Sequence, residues 1–104
     1  MDKMSDKDLK AMRRAAGSAA EMMGALAHEA RLRVLCDLVN GERPAGELVE
    51  RSGLSQSALS QHLARLRAEG LVATRREVQS IFYRIANRDA ARILDVLHEI
   101  YCKR

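Results

Sequence analysis

Apolar positions recur along the chain with the spacing of helices, interrupted once by alternation. From Asp8 to Ala27, Leu9, Met12, Ala16, Ala19, Ala20, Met23 and Leu26 fall three and four apart, which predicts a helix with one apolar stripe. No neighbouring segment is evident to cover that stripe. A second helix is predicted from Glu29 to Val39, turning Leu32, Leu35, Cys36 and Val39 inward, with Asn40 and Gly41 as its stop. Glu42-Arg43-Pro44 breaks the chain, Pro44 opens a short helix over Ala45 to Arg51, and the stretch SGLS ends it.

Ser55 caps a longer helix reaching about Glu69 and closed by Gly70. Beyond it, LVATRR and SIFYRI carry β-favouring residues, and Glu77-Val78-Gln79 between them reads as a hairpin tip. Asn87 caps a last helix whose Ala90, Ile93, Leu94, Leu97 and Tyr101 form an inward stripe, while Val96 and Ile100 lie off it. A helix that is apolar on more than one side calls for a second partner. The order is four helices, a hairpin and a helix, which predicts a single α+β, mostly α domain over residues 1–104. The charged, Met-containing lead-in, residues 1–7, is expected to be disordered.

Composition narrows the chemistry. With two Tyr, one Phe and no Trp, the core must be built from Leu, Ile, Val, Ala and Met. The formal net charge of +4 and pI near 9.5 suit a polyanionic partner, although such a balance is also common without one. No apolar run approaches the roughly 18 residues that cross a bilayer, and the N-terminal stretch lacks the apolar segment of a secretory signal. A cytoplasmic protein without membrane association is expected. Cys36 and Cys102 form neither a CxxC motif nor a paired zinc spacing, so they are inert packing residues or a reversible pair. A Gly-rich phosphate loop, a paired acidic site and a nucleophile with a His partner are all missing, so neither an enzyme nor a cofactor is expected.

The stretch LSQSALSQHLARLRAEGLV is the most informative. Leu59, Leu63 and Leu66 share one helix face, and Gln56, Ser57, Ser60, Gln61 and Ala64 share the opposite one. That outer face is small, uncharged and rich in donors and acceptors, as suits base edges in a major groove, where Gln pairs with adenine and Ser with several acceptors. The preceding short helix and the turn at Gly53 complete a helix-turn-helix order. Arg65 and Arg67 flank the face as candidate phosphate contacts. His62, on the edge of the Leu stripe, reads as a structural histidine or a phosphate contact. Arg75, Arg76 and Arg84 on the hairpin fit a DNA-contacting wing, or equally a strand edge kept soluble by charge.

The segments ALAHEARLRVLCDLVNGE, GELVERSGLSQSALSQHLARLRAEGLVATRR and IFYRI resemble the ArsR/SmtB family of bacterial winged-helix repressors, from about Ala25 to Cys102. The resemblance implies a winged helix-turn-helix with a two-stranded hairpin wing. It also implies a homodimer through the first and last helices, bound to double-stranded operator DNA with inverted half-sites. Many relatives sense metals, but AGELVERSG lacks the cysteines of one family site, and the positions of another hold Asn87, Asp89, Ile100 and Lys103. One carboxylate without an imidazole makes no such site, so no metal is expected. Asp95, His98 and Glu99 read better as a solvated helix face.

Cys36 and Cys102 match the two cysteines of the family's persulfide-sensing branch, the SqrR/BigR type with HlyU-like regulators nearby. That likeness implies redox-sensing thiols joined by a di- or polysulfide bridge on exposure to persulfides, with release of DNA. Cys102, beside Lys103 and Arg104, is then the attacking thiol, although the helix C-terminus opposes its ionisation. Cys36, beside Asp37, is the resolving one. The competing expectation is a regulator of the same fold that answers to peroxide or to a metal ion.

Overall fold

Leu35, Leu48, Leu59, Leu66 and Leu71 are fully buried, and with Val34 they are the largest buried side chains of the core. A computed structural model describes residues 3–102, in which these leucines come from almost every element of the middle of the chain. The elements are α1 (Asp6–Leu26), α2 (Glu29–Asp37), β1 (Arg43–Pro44), α3 (Ala45–Ser52), α4 (Gln56–Ala68), β2 (Val72–Glu77), β3 (Ser80–Ile85) and α5 (Arg88–Tyr101). Ala25 and Leu26 of α1, Leu38, Leu63, Val72, and Ala90 and Leu94 of α5 close the same core, which contains no fully buried aromatic ring. No helix among the described residues is long and apolar enough to cross a membrane.

The lead-in expected to be disordered is helical from Asp6. Ser5 accepts a hydrogen bond from the Asp8 backbone N–H, and the Asp8 carboxylate accepts one from the Ser5 N–H, which together form a capping box. Met1 and Asp2 lie outside the described residues. Along most of its length α1 is exposed, with Leu9, Met12 and Met23 about half accessible, and only its last two residues enter the core. The uncovered stripe that the sequence predicts is therefore uncovered in the single protomer.

Two expectations for α2 need correction. Val34, Leu35 and Leu38 occupy the inward positions, whereas Val39 and Cys36 are exposed. The helix ends at Asp37 with Leu38 as its C-cap, so Val39 leaves the helical phase on which its inward placement depended. The wing also gains a strand. Arg43 and Pro44 pair antiparallel with Tyr83 and Phe82, giving a three-stranded sheet of order β1-β3-β2. A two-residue strand carries no alternation to read, and proline is tolerated there because β1 is an edge. The hairpin runs in register from Val72 opposite Ile85 to Glu77 opposite Ser80, so its tip is the two residues Val78 and Gln79. Val78 takes a positive φ of 54°, as the first turn residue of a tight hairpin demands, despite its β-branched side chain.

Arginine side chains tie the helix ends. Arg31 Nε donates to the Ala25 carbonyl at 2.6 Å at the end of α1, and Nη2 adds a bond at 3.3 Å to the Gly24 carbonyl, which also accepts from the Ala27 N–H at 3.2 Å. Its Nη1 donates to Nδ1 of His62 on α4 at 3.2 Å, so one guanidinium joins α1, α2 and α4. Arg43 does the same for α2, its Nε donating to the Asp37 carbonyl at 2.6 Å. Replacing Arg31 by Met is expected to lower the unfolding free energy in urea by about 2–3 kcal/mol, because half-buried acceptors lose a charged donor. Arg31→Lys should recover only a minor part, since one ammonium cannot reproduce a fork that spans two carbonyls and a ring nitrogen.

Candidate nucleic-acid interface and thiol pocket

The α3–α4 unit is built by short-range bonds. Gly53 adopts φ 72° after α3, a left-handed cap that favours glycine. Ser52 Oγ donates to the Val49 carbonyl at 2.7 Å and accepts from the Leu54 N–H at 3.0 Å, and Ser55 Oγ accepts from the Ala58 N–H at 3.1 Å. With the turn fixed, α4 buries Leu59, Leu63 and Leu66 and presents Gln56, Ser57, Ser60, Gln61 and Ala64 to solvent. Among the described residues, the side chains of Gln56, Ser57, Ser60 and Gln61 make no hydrogen bond within the chain. Their donors and acceptors are free for an outside partner.

The cations expected to flank this face divide into two groups. Arg67, Arg76 and Arg84 are exposed and make no ion pair among the described residues. Arg65 is held loosely by Glu69, one turn on, at 3.7 Å. Arg75 is committed elsewhere: its guanidinium pairs with Glu42 and Glu77 and stacks on the Phe82 ring, 4.4 Å from its centroid. The hydrogen bond from Arg75 holds the Glu42 carboxyl below its ordinary range. Arg75 therefore fastens β2 to the segment leading into β1.

His62 also departs from the outer face. Its ring lies 4.3 Å from that of His28, tilted by 45°, and its Nδ1 is engaged by Arg31. Guanidinium has no acceptor, so this Nδ1 keeps its lone pair and a neutral His62 carries its proton on Nε2. His28 uses its own Nδ1 to accept from the Ala30 N–H at 3.1 Å, capping α2. The structural role expected for His62 fits this geometry. Sequence reasoning missed Arg31 and His28, because their partners lie on elements distant along the chain.

The two cysteines share a pocket. Cys36 projects from α2 and Cys102 is the C-cap of α5, where its N–H donates to the His98 carbonyl at 2.9 Å. Both are free and exposed, and both line one hollow of about 230 Å³ with Leu32, Leu94, Leu97, His98 and Tyr101. Partial burial against that apolar wall raises the Cys36 thiol above its ordinary value, and Asp37 and Cys102 add to the effect. Asp37 in turn connects to α3, its carboxylate taking Arg51 Nη1 at 3.5 Å. Lys103 and Arg104, expected to favour the Cys102 thiolate, lie outside the described residues. No three His, Cys, Asp or Glu side chains gather as metal ligands among the described residues.

Residues 28–74 match the family described as bacterial regulatory protein, arsR family. The transcriptional activator HlyU of Vibrio cholerae is 44% identical over 96 residues, covering 92% of this chain and 89% of HlyU. This chain belongs to the ArsR family. The ArsR-family structure of reduced HlyU from that organism superposes with a TM-score of 0.84 at 44% identity, over 89% of this chain and 98% of the other. The transcriptional repressor BigR of Xylella fastidiosa gives a TM-score of 0.86 at 39% identity, over 97% and 100%. A homodimeric winged helix-turn-helix DNA-binding domain from Mycobacterium bovis gives 0.75 at 31% identity, over 96% and 89%. As an ArsR-family protein the chain is a winged helix-turn-helix transcriptional regulator, not an enzyme.

The packing of His62 makes a prediction about pH. Burial, then His28 and Arg31, lower its pKa from the ordinary 6.5, so the unfolded chain binds the proton more readily than the folded one. The stability this ring contributes is fully present above pH 6.5 and is lost as pH falls through the folded value. Urea midpoints between pH 7.5 and 5 are expected to fall more steeply for the wild type than for His62→Gln.

Proposed function

We propose that this chain is a homodimeric transcriptional repressor that binds operator DNA when Cys36 and Cys102 are reduced and leaves it when persulfides join them. The observation that carries the reading is that both thiols line one pocket between α2 and α5. Dimerisation through α1 and α5 is supported by their exposed apolar residues, Leu9, Met12 and Met23 on one and Val96 and Ile100 on the other. The homodimeric description of the Mycobacterium bovis relative points the same way. Repression is supported by the likeness to BigR, and a dependence on oxidation state by the HlyU structure being described as reduced.

In this reading Gln56, Ser57, Ser60 and Gln61 read base edges, and Arg65, Arg67 and Arg76 contact phosphates. Two inverted half-sites follow from a two-fold dimer. The Cys102 thiolate attacks the outer sulfur of a persulfide RSSH, and RSH leaves. A second transfer lengthens the chain, and attack by Cys36 expels hydrogen sulfide. In sum, two cysteine thiols and two RSSH give a trisulfide bridge, two RSH and one H₂S. Bridging pulls on α2 next to Asp37, whose bonds to Arg51 and Arg43 reach the reading unit. A cost to the DNA-bound form of about 2.7 kcal/mol is enough to weaken binding about a hundredfold.

Protection of the DNA upstream of this chain's own coding sequence, with and without glutathione persulfide, tests the reading. Wild-type protection is expected to be lost on treatment. Cys36→Ser and Cys102→Ser should each bind as tightly as wild type and ignore the persulfide, and release retained in either variant would reject the mechanism. Equal release by hydrogen peroxide would make this a general thiol-oxidation switch instead. On the same DNA, Arg76→Ala is expected to reduce the slope of log affinity against log salt by about 2, one phosphate contact being lost from each protomer, while Gln61→Ala should relax discrimination at one position of each half-site by about 1–3 kcal/mol.

A further inference from the structure

The hollow that holds the two thiols also holds an imidazole. His98 and Cys102 lie one helical turn apart on α5, and the Cys102 N–H donates to the His98 carbonyl at 2.9 Å, so the geometry that puts side chains four apart on one face extends to the cysteine. Both line the cavity of about 230 Å³, and Cys36 lines it from α2. Partial burial and the Asp37 carboxylate raise the Cys36 thiol, so at neutral pH the resolving sulfur is held in its protonated, weakly nucleophilic form. Attack by Cys36 must therefore shed a proton against an apolar wall, and the sulfide it expels must gain one. An imidazole is the side chain whose ordinary titration lets it do both near pH 7. The other ionisable groups near His98 are Tyr101 and Cys102 on α5, Asp95 and Glu99 close by in the same helix, and Cys36 from α2 with Asp37 beside it. Asp37 is engaged by Arg51 Nη1 at 3.5 Å. Lys103 and Arg104, which follow Cys102 in the sequence, have no acceptor in their charged forms and cannot take this proton.

Resting on the thiol-switch reading above, we infer that His98 is the proton carrier of the closing step, taking the proton of the Cys36 thiol and passing it to the departing sulfide. At that point Cys102 carries two transferred sulfurs as an open chain ending in SH. The Cys36 sulfur bonds to the inner of the two, the bond between inner and terminal sulfur breaks, and its electron pair leaves with the terminal sulfur as HS⁻. The imidazole accepts the Cys36 proton as that bond forms, becomes imidazolium, and protonates HS⁻ to H₂S, returning to its neutral form. One thiol and one open polysulfide thus give one trisulfide bridge and one H₂S, with one sulfur–sulfur bond broken and one formed. The oxidising equivalents are those of the persulfides already consumed, so the step draws on no further oxidant.

The test adds glutathione persulfide to the reduced full chain and follows intact mass, which separates the open Cys102 polysulfide from the closed bridge. His98 is exposed, so His98→Gln should keep the fold, as circular dichroism checks. The open species is expected to form as fast as in the wild type, whereas closing at pH 7 should slow by about a hundredfold, the lower end of what a positioned base contributes. Between about pH 6 and 8 the wild-type closing rate should level off as the imidazole becomes neutral, while the variant's rises about tenfold per pH unit with the Cys36 thiolate. Free imidazole added to His98→Ala should restore part of the lost rate. Equal closing rates and pH profiles in wild type and His98→Gln overturn the proton transfer and leave the thiol switch standing. Slowed closing that imidazole does not restore makes His98 a structural residue and overturns the proton transfer as well. A wild-type chain that forms no bridge, with both thiols still titratable, overturns the proton transfer and the thiol switch together.

Discussion

The guanidinium of Arg31 meets the last carbonyls of α1 and the ring of His62 on α4, so α1, α2 and α4 are located by one side chain. Helix ends leave carbonyls that must find donors, and a half-buried end has little water to supply them. A planar, permanently charged fork meets that need at several points at once. The geometry matters beyond stability. α1 carries one of the uncovered apolar stripes and α4 carries the Gln and Ser face, so the fork fixes the angle between the surface suited to another protomer and the surface suited to DNA. Arg43 repeats the device at the end of α2, one residue past Cys36.

Charge in this molecule is allotted before any partner arrives. Eighteen Lys and Arg against 14 Asp and Glu suggest a uniformly basic surface. The ion pairs show otherwise: Arg43, Arg51 and Arg75 are spent on Glu47, Asp37, Glu42 and Glu77 within the α3 region and the wing. Among the described residues, Arg67 on α4 and Arg76 and Arg84 on the wing stay unpaired on the helix-turn-helix side. Exposed pairs contribute little to stability, so their effect lies in holding the wing against the helices and in choosing which cations face outward.

Much of this architecture was legible in the sequence because it depends on local spacing. The three leucines of α4, the glycine after α3 and the caps Ser55 and Asn87 are short-range signals, and they locate the buried and exposed faces of α4. The Ser5-Asp8 capping box was equally visible, and overlooking it put the start of α1 too late. Features that depend on distant partners were not legible. Arg75 binds Glu42 across 33 positions and Arg31 reaches His62 across 31, so nothing beside either residue announces the contact. Cys36 looked like a core residue because it sits among leucines. The phase of α2 instead gives the inward places to Val34, Leu35 and Leu38, and turns the sulfur toward α5.

A last consequence concerns Tyr101 at the rim of the sulfur hollow. The chain has no tryptophan and only two tyrosines, so its ultraviolet emission comes from Tyr83 in the sheet and Tyr101. One of the two tyrosines thus sits beside the two cysteine sulfurs. The protein carries a built-in optical reporter there, and events at the pocket register without an attached dye.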